Sequence, residues 1–491
     1  MPDRTFLSVN TGPSAFLLFN ESASLFAPDD HQTSSNFMRD ARLISATNAV
    51  GYGTKIIFEI NKFADLLGET WIRFRLPALA TPYDATADPL AAGGGPHWVD
   101  YVGHRLIERV EVLDGSERIL DISGDHLHDH QLLRLDDERT VTNDENVGSW
   151  GSMVERQRRA MTPQELFVSL SLAHWVKAPS QYLPFDDVAR NIRIHVTLRA
   201  AAEVVNFPDH IEGGDGVATP IPGAPLSIEC DLLLMGYHIT QRERNALTAA
   251  VESEDGLMYP FIEPTTQVQS VTVAAPTVTE QVIDVKLPNF RFSSAFTSFT
   301  VVANDDIVGR DNFATVVGAG LPGQLKDPYF YRDVETAQLF SDGKELTREM
   351  THKEMQYAQM PLFHGGQGST GIYVIMQSDL LPEVEVVSAG SCDYASLNNV
   401  VLRIKLRKVS NLGNAPPTTG SYHDTTDVVF DNEFALTGVE PDTIVPAFYH
   451  DRDNASRVTN YVAAQGLEIR ATSWDKKFNQ LQGGQLRQVF T

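Results

Sequence analysis

The chain has 491 residues, enough for two or three domains with sizeable cores. Its hydrophobic content of 42% and charged content of 21% are those of a globular protein and exclude a fibrous or disordered class. Lys and Arg number 39 against 64 Asp and Glu, a net charge of −25. Such a surface lacks the basic face that grips a nucleic-acid backbone, so no direct nucleic-acid binding is expected and basic partners are favoured.

Residues 1–45 are polar and without clear periodicity, and read as an arm. Their apolar run "AFLLF" is too short for a signal-peptide core. No apolar run in the chain reaches the roughly 18 residues needed to span a bilayer. The sequons at Asn20 and Asn454 are therefore expected to be unused.

Strand signals then dominate. "TKIIFEINKF" (54–63) is apolar and β-branched. "TWIRFRL" (70–76) alternates, with Trp71, Arg73 and Arg75 on one face and Ile72, Phe74 and Leu76 on the other. "RLIERVEVLDGSERILDI" (105–122) reads as strand, turn, strand, with Asp114-Gly115 as a two-residue hairpin signal. "GDHLHDHQ" (124–131) follows. On a strand His126, His128 and His130 would share a face and could hold a zinc or iron ion. On a helix only His126 and His130 share a face, and Ser123 and Asp125 stand near a possible helix start. A solvated helix or loop is the favoured reading, with the three histidines kept as a weak candidate metal site.

"ELFVSLSLAHWV" (165–176) and "NIRIHVTLRA" (191–200) alternate again. Asp186-Asp187 after Pro184 reads as turn or cap rather than an acid pair. "SIECDLLLMGYHI" (227–239) is a continuous apolar run, the pattern of a strand covered on both sides. "TQRERNALTAAVESED" (240–255) is the clearest helix, with Thr240 and Glu243 at capping-box spacing. It marks a boundary between two β domains. "QSVTVAAPTVTEQVIDVKL", "FTSFTVVAN", "GIYVIMQS", "NVVLRIKLRKV", "GLEIRATSW" and "LRQVFT" read as the strands of the second half. Long loops fall at 77–98, 200–226, 303–330 and 411–430.

No catalytic constellation survives. Gly318, Gly320 and Gly323 spell a dinucleotide fingerprint, but Pro322 falls inside it and no helix opens there. "FHGGQGSTG" (363–371) lacks the Lys of a nucleotide loop. Cys392 has no histidine near it in sequence and reads as an inert thiol. Cys230 and Cys392, the only two cysteines and far apart, fit a reducing compartment without a disulfide. The cofactor expectation is none.

The order of segments resembles the double jelly-roll major capsid proteins of the nucleocytoplasmic large DNA viruses. The similarity is carried by "VGYGTKIIFEINKFADLLGETWIRFRLP" (50–77), "VGHRLIERVEVLDGSERILDISGDHLHDHQLL" and "LFVSLSLAHWVKAPSQYLPFDDVARNIRIHVTLR" in the first half. "DLLLMGYHITQRERNAL" is similar to that family's junction helix. "IYVIMQSDLLPEVEVVSAGSCDYASLNNVVLRIKL" and "SWDKKFNQLQGGQLRQVF" carry it to the C-terminus. Ser388-Ala389-Gly390 and Asp393 depart from the usual Pro-Ser-Gly and Asn, which suggests a divergent member.

The resemblance implies an all-β chain of two consecutive eight-stranded jelly rolls with short helices in linker and loops. The expected division is an arm 1–45, a first jelly roll 46–239, a linker helix 240–258 and a second jelly roll 259–491. It implies a structural role without catalysis: a homotrimer acting as a pseudo-hexameric capsomer of an icosahedral virion shell, assembled in the host cytoplasm. Neighbouring capsomers, minor capsid or cement proteins and an inner viral membrane beneath the shell are the expected partners. The alternatives are a scaffold that shapes a viral membrane and, from another class, a β-sandwich metalloenzyme or lectin using His126, His128 and His130.

Overall fold

The computed structural model describes residues 37–79, 97–134, 137–150, 153–177, 181–206, 227–271, 281–288, 290, 293–303, 334–359, 372–377, 391–406 and 467–489. The first part contains β1 (Met38–Ser45), β2 (Lys55–Ile60), β3 (Leu66–Leu76), β4 (His97–Trp98), β5 (Ile107–Asp114), β6 (Glu117–Ile122), β7 (Gln164–Ser169), β8 (Leu183–Pro184), β9 (Ile192–Leu198), β10 (Val205–Asn206) and β11 (Glu229–His238). Between them lie helices α1 (Val102–Leu106), α2 (Gly124–Arg134), α3 (Asp137–Val147), α4 (Met153–Ala160) and α5 (His174–Lys177). Helix α6 (Gln241–Val251) leads to β12 (Leu257–Val271), β13 (Gln281–Lys286), β14 (Ser293–Ala303), β15 (Val334–Ser341), β16 (Lys344–Glu345) and β17 (Met350–Thr351). A π-helical turn (Glu354–Ala358) precedes β18 (Tyr373–Met376), β19 (Cys392–Asp393), β20 (Val400–Leu406), β21 (Leu467–Gln482) and β22 (Gln485–Val489).

The pairing repeats. Sheet 1 runs β1-β11-β3-β7 with β8 also on β3, and sheet 2 runs β2-β9-β5-β6. Sheet 3 runs β12-β21-β14-β18 with β19 also on β14, and sheet 4 runs β13-β20-β15-β16 with β17 also on β15. In each half the first strand meets the eighth, the eighth the third and the third the sixth. The second meets the seventh, the seventh the fourth and the fourth the fifth. That is the jelly-roll order, present twice, and in both copies the sixth strand is broken into two short pieces on the third.

Alternation creates each sandwich. In β3, Ile72, Phe74 and Leu76 are buried while Arg75 is exposed. In β9, Ile192, Ile194, Val196 and Leu198 all face inward. The β5–β6 hairpin closes over Gly115 at φ 62°, the left-handed turn that Asp-Gly favours. Helix α6 begins after Thr240, whose backbone N–H and hydroxyl both donate to the Glu243 carboxylate.

Several segments differ from the sequence reading. Residues 38–45, read as part of the arm, pair along their length with β11 as an edge strand of sheet 1. Arg39, Asp40 and Arg42 hide the period there. The strand read over 165–176 ends at Ser169 and turns into α5. Helices α3 and α4 are rich in charged and polar residues, which hides them in the sequence. β12 carries Pro260 and Pro264, which argue against a strand except at a sheet edge, where β12 lies. Buried and partly buried residues alternate along β11, so its outer face is covered only in part. Residues 1–36, most of the long loops, Gly318, Gly320, Gly323, 363–371 and 388–390 lie outside the described residues.

Cys230 is buried on β11 and Cys392 is half-buried on β19, both as free thiols. Burial raises both thiol pKa values, that of Cys230 far more. A thiol-reactive chromogen should therefore label Cys392 slowly and Cys230 not at all in the native chain, and both in denaturant without reductant. Fast native labelling of Cys230, or no thiols in denaturant, would contradict this packing.

Candidate functional site

The residues that tie the two jelly rolls together sit around α2. The chain passes from β6 into α2 at Gly124, where a Cβ would lie 2.0 Å from the His104 carbonyl oxygen, so only glycine fits. Ser123 caps the helix: its hydroxyl accepts the His126 N–H at 3.2 Å, and its own N–H donates to His126 Nδ1 at 3.2 Å. Nδ1 is thereby an acceptor, and Nε2 carries the proton toward Thr266 Oγ1 at 2.7 Å on β12. Burial pushes the His126 pKa down to about 4, so the ring bridges the jelly rolls in its neutral form.

The three candidate histidines do not converge. His126 and His130 both face Trp474 of β21, with ring centroids 6.5 and 6.0 Å away. His130 Nδ1 also lies 3.1 Å from Ser171 Oγ. His128 points elsewhere, edge-on to Tyr101 at 4.5 Å and to His104 at 5.6 Å. The helix is packed rather than solvated, with Leu127, His128 and His130 buried. Among the described residues no group of three or more His, Cys, Asp or Glu side chains is placed to hold a metal ion.

Trp474 is the centre of this contact. It is fully buried, stacks on Phe296 at 5.2 Å and donates its indole N–H to Ser298 Oγ at 2.8 Å. Beside it, Asp125 of α2 receives Arg199 at 3.1 Å, Arg470 of β21 at 3.4 Å and Arg105 at 3.6 Å. Burial alone would raise the Asp125 pKa, but Arg199, Arg470 and Arg105 together hold it below the usual carboxylate range. Asp129, one turn on, goes the other way. Burial and the Asp125 charge push it up to about 8, with Arg470 drawing it partly back.

Two further contacts complete the junction. His174 of α5 stacks on Tyr259 of β12 at 4.6 Å and lies 3.0 Å from Asn479 of β21. The C-terminal hairpin β21–β22 reaches back to the first jelly roll: Ala189 N donates to Gly484 O at 2.7 Å, and Leu486 N to Asp114 Oδ2 at 3.0 Å. Helix α6 is held between the two, with Arg244 paired to buried Asp65, Thr248 donating to Asp187 and Val251 O accepting from Gly483. Asp187 is thus a packing group on α6, and Asp186 accepts from Lys62 through its backbone.

The outer faces of the four sheets differ in chemistry. Sheet 2 carries Lys55, Arg109, Glu111 and Asp121 in paired rows, and sheet 4 carries Asp284 with Arg403 and Lys405. Sheet 3 presents Trp474, Phe296, Thr472 and Ser298, all buried beneath the first jelly roll. Sheet 1 presents the register row Leu43–Leu233–Trp71, with Ala41–Met235 beside it. Leu43 is 47% exposed, and Leu233, Trp71 and Met235 are only partly buried. The exposed apolar face is the feature that sequence reasoning missed, although Trp71 on the solvent side of the "TWIRFRL" alternation was its signal.

Residues 24–223 match the family model described as major capsid protein N-terminus. No curated protein sequence matches the chain. The fold is shared with PBCV-1 VP54, solved by crystallography and fitted into a cryo-EM reconstruction of the virophage Sputnik. There the identity is 14%, covering 95% of this chain and 100% of that one, with a TM-score of 0.63. A quasi-atomic model of the PBCV-1 virus capsid gives 15% identity, 95% and 100% coverage and a TM-score of 0.61. The Faustovirus major capsid protein gives 10%, 94% and 93%, and 0.57.

The Asp129 pKa sets a pH dependence. The folded chain holds this proton more tightly than the unfolded chain, so stability falls as pH rises from about 4 toward about 8. Asp129→Asn mimics the protonated group. Thermal unfolding should find the variant equal to the parent near pH 4 and more stable at pH 8.5. A variant less stable than the parent at pH 8.5 would mean that Asp129 is ionised and usefully paired.

Proposed function

We propose that this chain, a double jelly-roll protein whose residues 24–223 match the family model of the major capsid protein N-terminus, is the building block of an icosahedral virion shell. One observation carries the reading: the same eight-strand order occurs twice, and the two copies are joined by a buried junction. The role is structural. A shell needs stiffness and repeatable contacts, and both follow from stacked antiparallel sheets with edges and faces that a neighbour can cover.

The assembly we propose is a homotrimer. Two similar jelly rolls per chain make six around a threefold axis, so a trimer presents a nearly hexagonal outline and tiles a lattice with others of its kind. Obligate interfaces of this type bury about 2,000 Å² or more and are apolar at their centre. Each chain brings a net charge of −25, which keeps free capsomers apart. Basic minor proteins or cations are the partners whose charge would bridge them. The virion is the corresponding location.

Native mass spectrometry tests this directly. A species near three times the 54.3 kDa chain mass is expected at micromolar concentration, and it should persist in moderate salt because apolar burial is not screened. A stable monomer under those conditions would overturn the shell reading.

A further inference from the structure

Lys477 of β21 pairs with Glu263 of β12, and the two side chains are only 9% and 13% exposed. The pairs on the outer sheet faces are different: Lys55, bound to Glu111, keeps 47% of its side chain in solvent. Alternation places Ser473, Asp475 and Lys477 on the face of β21 that Ile469 and Ala471 turn into the second jelly roll, opposite Trp474. The register sets Glu263 directly across from Asp475, and Phe261 across from Lys477.

Asp475 adds a second carboxyl beside this pair and is fully buried. Ser473 donates its hydroxyl to Oδ1 at 2.5 Å, and Thr265 donates to Oδ2 at 3.0 Å. Burial raises the Asp475 pKa, with Ser473, Thr265 and Lys477 drawing it partly back and the Glu263 charge adding to the rise. Asp475 therefore holds a proton more readily than an ordinary aspartate. On the other side, Gln488 of β22 donates its amide to Glu263 Oε2 at 2.9 Å, where it polarises that carboxyl. A primary amine, a polarised carboxyl and a proton-holding acid thus meet where water is largely excluded.

We propose that Lys477 and Glu263 condense into an intramolecular isopeptide bond, with Asp475 as the acid that carries the proton between them. The Lys477 ammonium gives up two protons as the Nζ–Cδ bond forms. Asp475 relays them to the Glu263 oxygen that departs, the Cδ–O bond breaks, and one water leaves; nothing is oxidised or reduced. The reaction replaces two desolvated charges by one neutral amide, which removes the cost of keeping both ions out of water. The bond fastens β12 where it is weakest, since Pro260 and Pro264 on either side of Glu263 have no N–H to donate. It also closes a loop over most of the second jelly roll and so restrains the unfolded chain. β11, the equivalent of β21 in the first jelly roll, carries no lysine, so the bond belongs to one jelly roll only.

Mass spectrometry of the full chain, purified folded and then denatured, tests the bond. The parent should weigh about 18 Da less than its sequence, the mass of one water, and proteolysis should yield one branched peptide joining Lys477 to Glu263. Lys477→Arg keeps the positive charge but offers no nucleophilic amine, so it should show the full sequence mass. Asp475→Asn, folded by circular dichroism, accepts the same hydrogen bonds but cannot pass a proton, and should link about 100-fold more slowly. Separate, unmodified Lys477 and Glu263 peptides from the parent overturn the bond. An Asp475→Asn chain that links at the parent rate overturns the role of Asp475. If a variant fails to fold, the parent peptides decide alone. The bond does not depend on how many chains assemble, so its absence would leave the shell proposal standing.

Discussion

A sandwich of two sheets buries one face of each, and sheet 3 has apolar groups on both. Ile469 and Ala471 of β21 face the interior of the second jelly roll, while Trp474 and its partner Phe296 face out. An exposed tryptophan–phenylalanine pair on a flat sheet invites aggregation, so a third layer is required. Helix α2 supplies it. Much else about the junction follows from that need: the glycine at 124 that lets the helix start beneath the His104 carbonyl, the neutral His126 bridging to Thr266, and the C-terminal hairpin returning to Asp114 and Ala189. Truncating a tryptophan in such a position costs about 3–5 kcal/mol, a large part of the stability of an ordinary domain.

Charge is arranged around that seal rather than within it. Asp125 gathers three arginines from both jelly rolls, and breaking such a cluster leaves uncompensated charge in a partly buried place. Exposed pairs such as Arg403 with Asp284 contribute little, about 0–1 kcal/mol each, and serve solubility more than stability. The buried core of the first jelly roll runs on without a gap into Tyr259, Phe261, Phe296, Trp474, Leu481 and Leu486 of the second. The two jelly rolls therefore share one continuous core.

Local signals were legible where local chemistry decides the structure. The Asp114-Gly115 turn, the alternation of 70–76 and 191–200 and the Thr240–Glu243 start of α6 all appear at their residues. β1 and β12 were hidden because edge strands tolerate charge and proline, and only their partners β11 and β21 hold them extended. The histidines of α2 were visible as a cluster, but their partners were not. Thr266 and Trp474 are 140 and 344 or more residues away, and nothing in local periodicity couples positions that far apart. The open face of sheet 1 was half legible. Trp71 shares a face with Arg73 and Arg75 in the alternation, yet its alignment with Leu43 and Leu233 depends on a register that only pairing reveals.

The central claim is that three copies of a twice-repeated jelly roll close into one block. Electron microscopy of the purified protein tests it most directly. The account predicts particles with threefold symmetry, a hexagonal outline and six similar lobes. Elongated two-lobed particles of single-chain size, or open filaments, would contradict it.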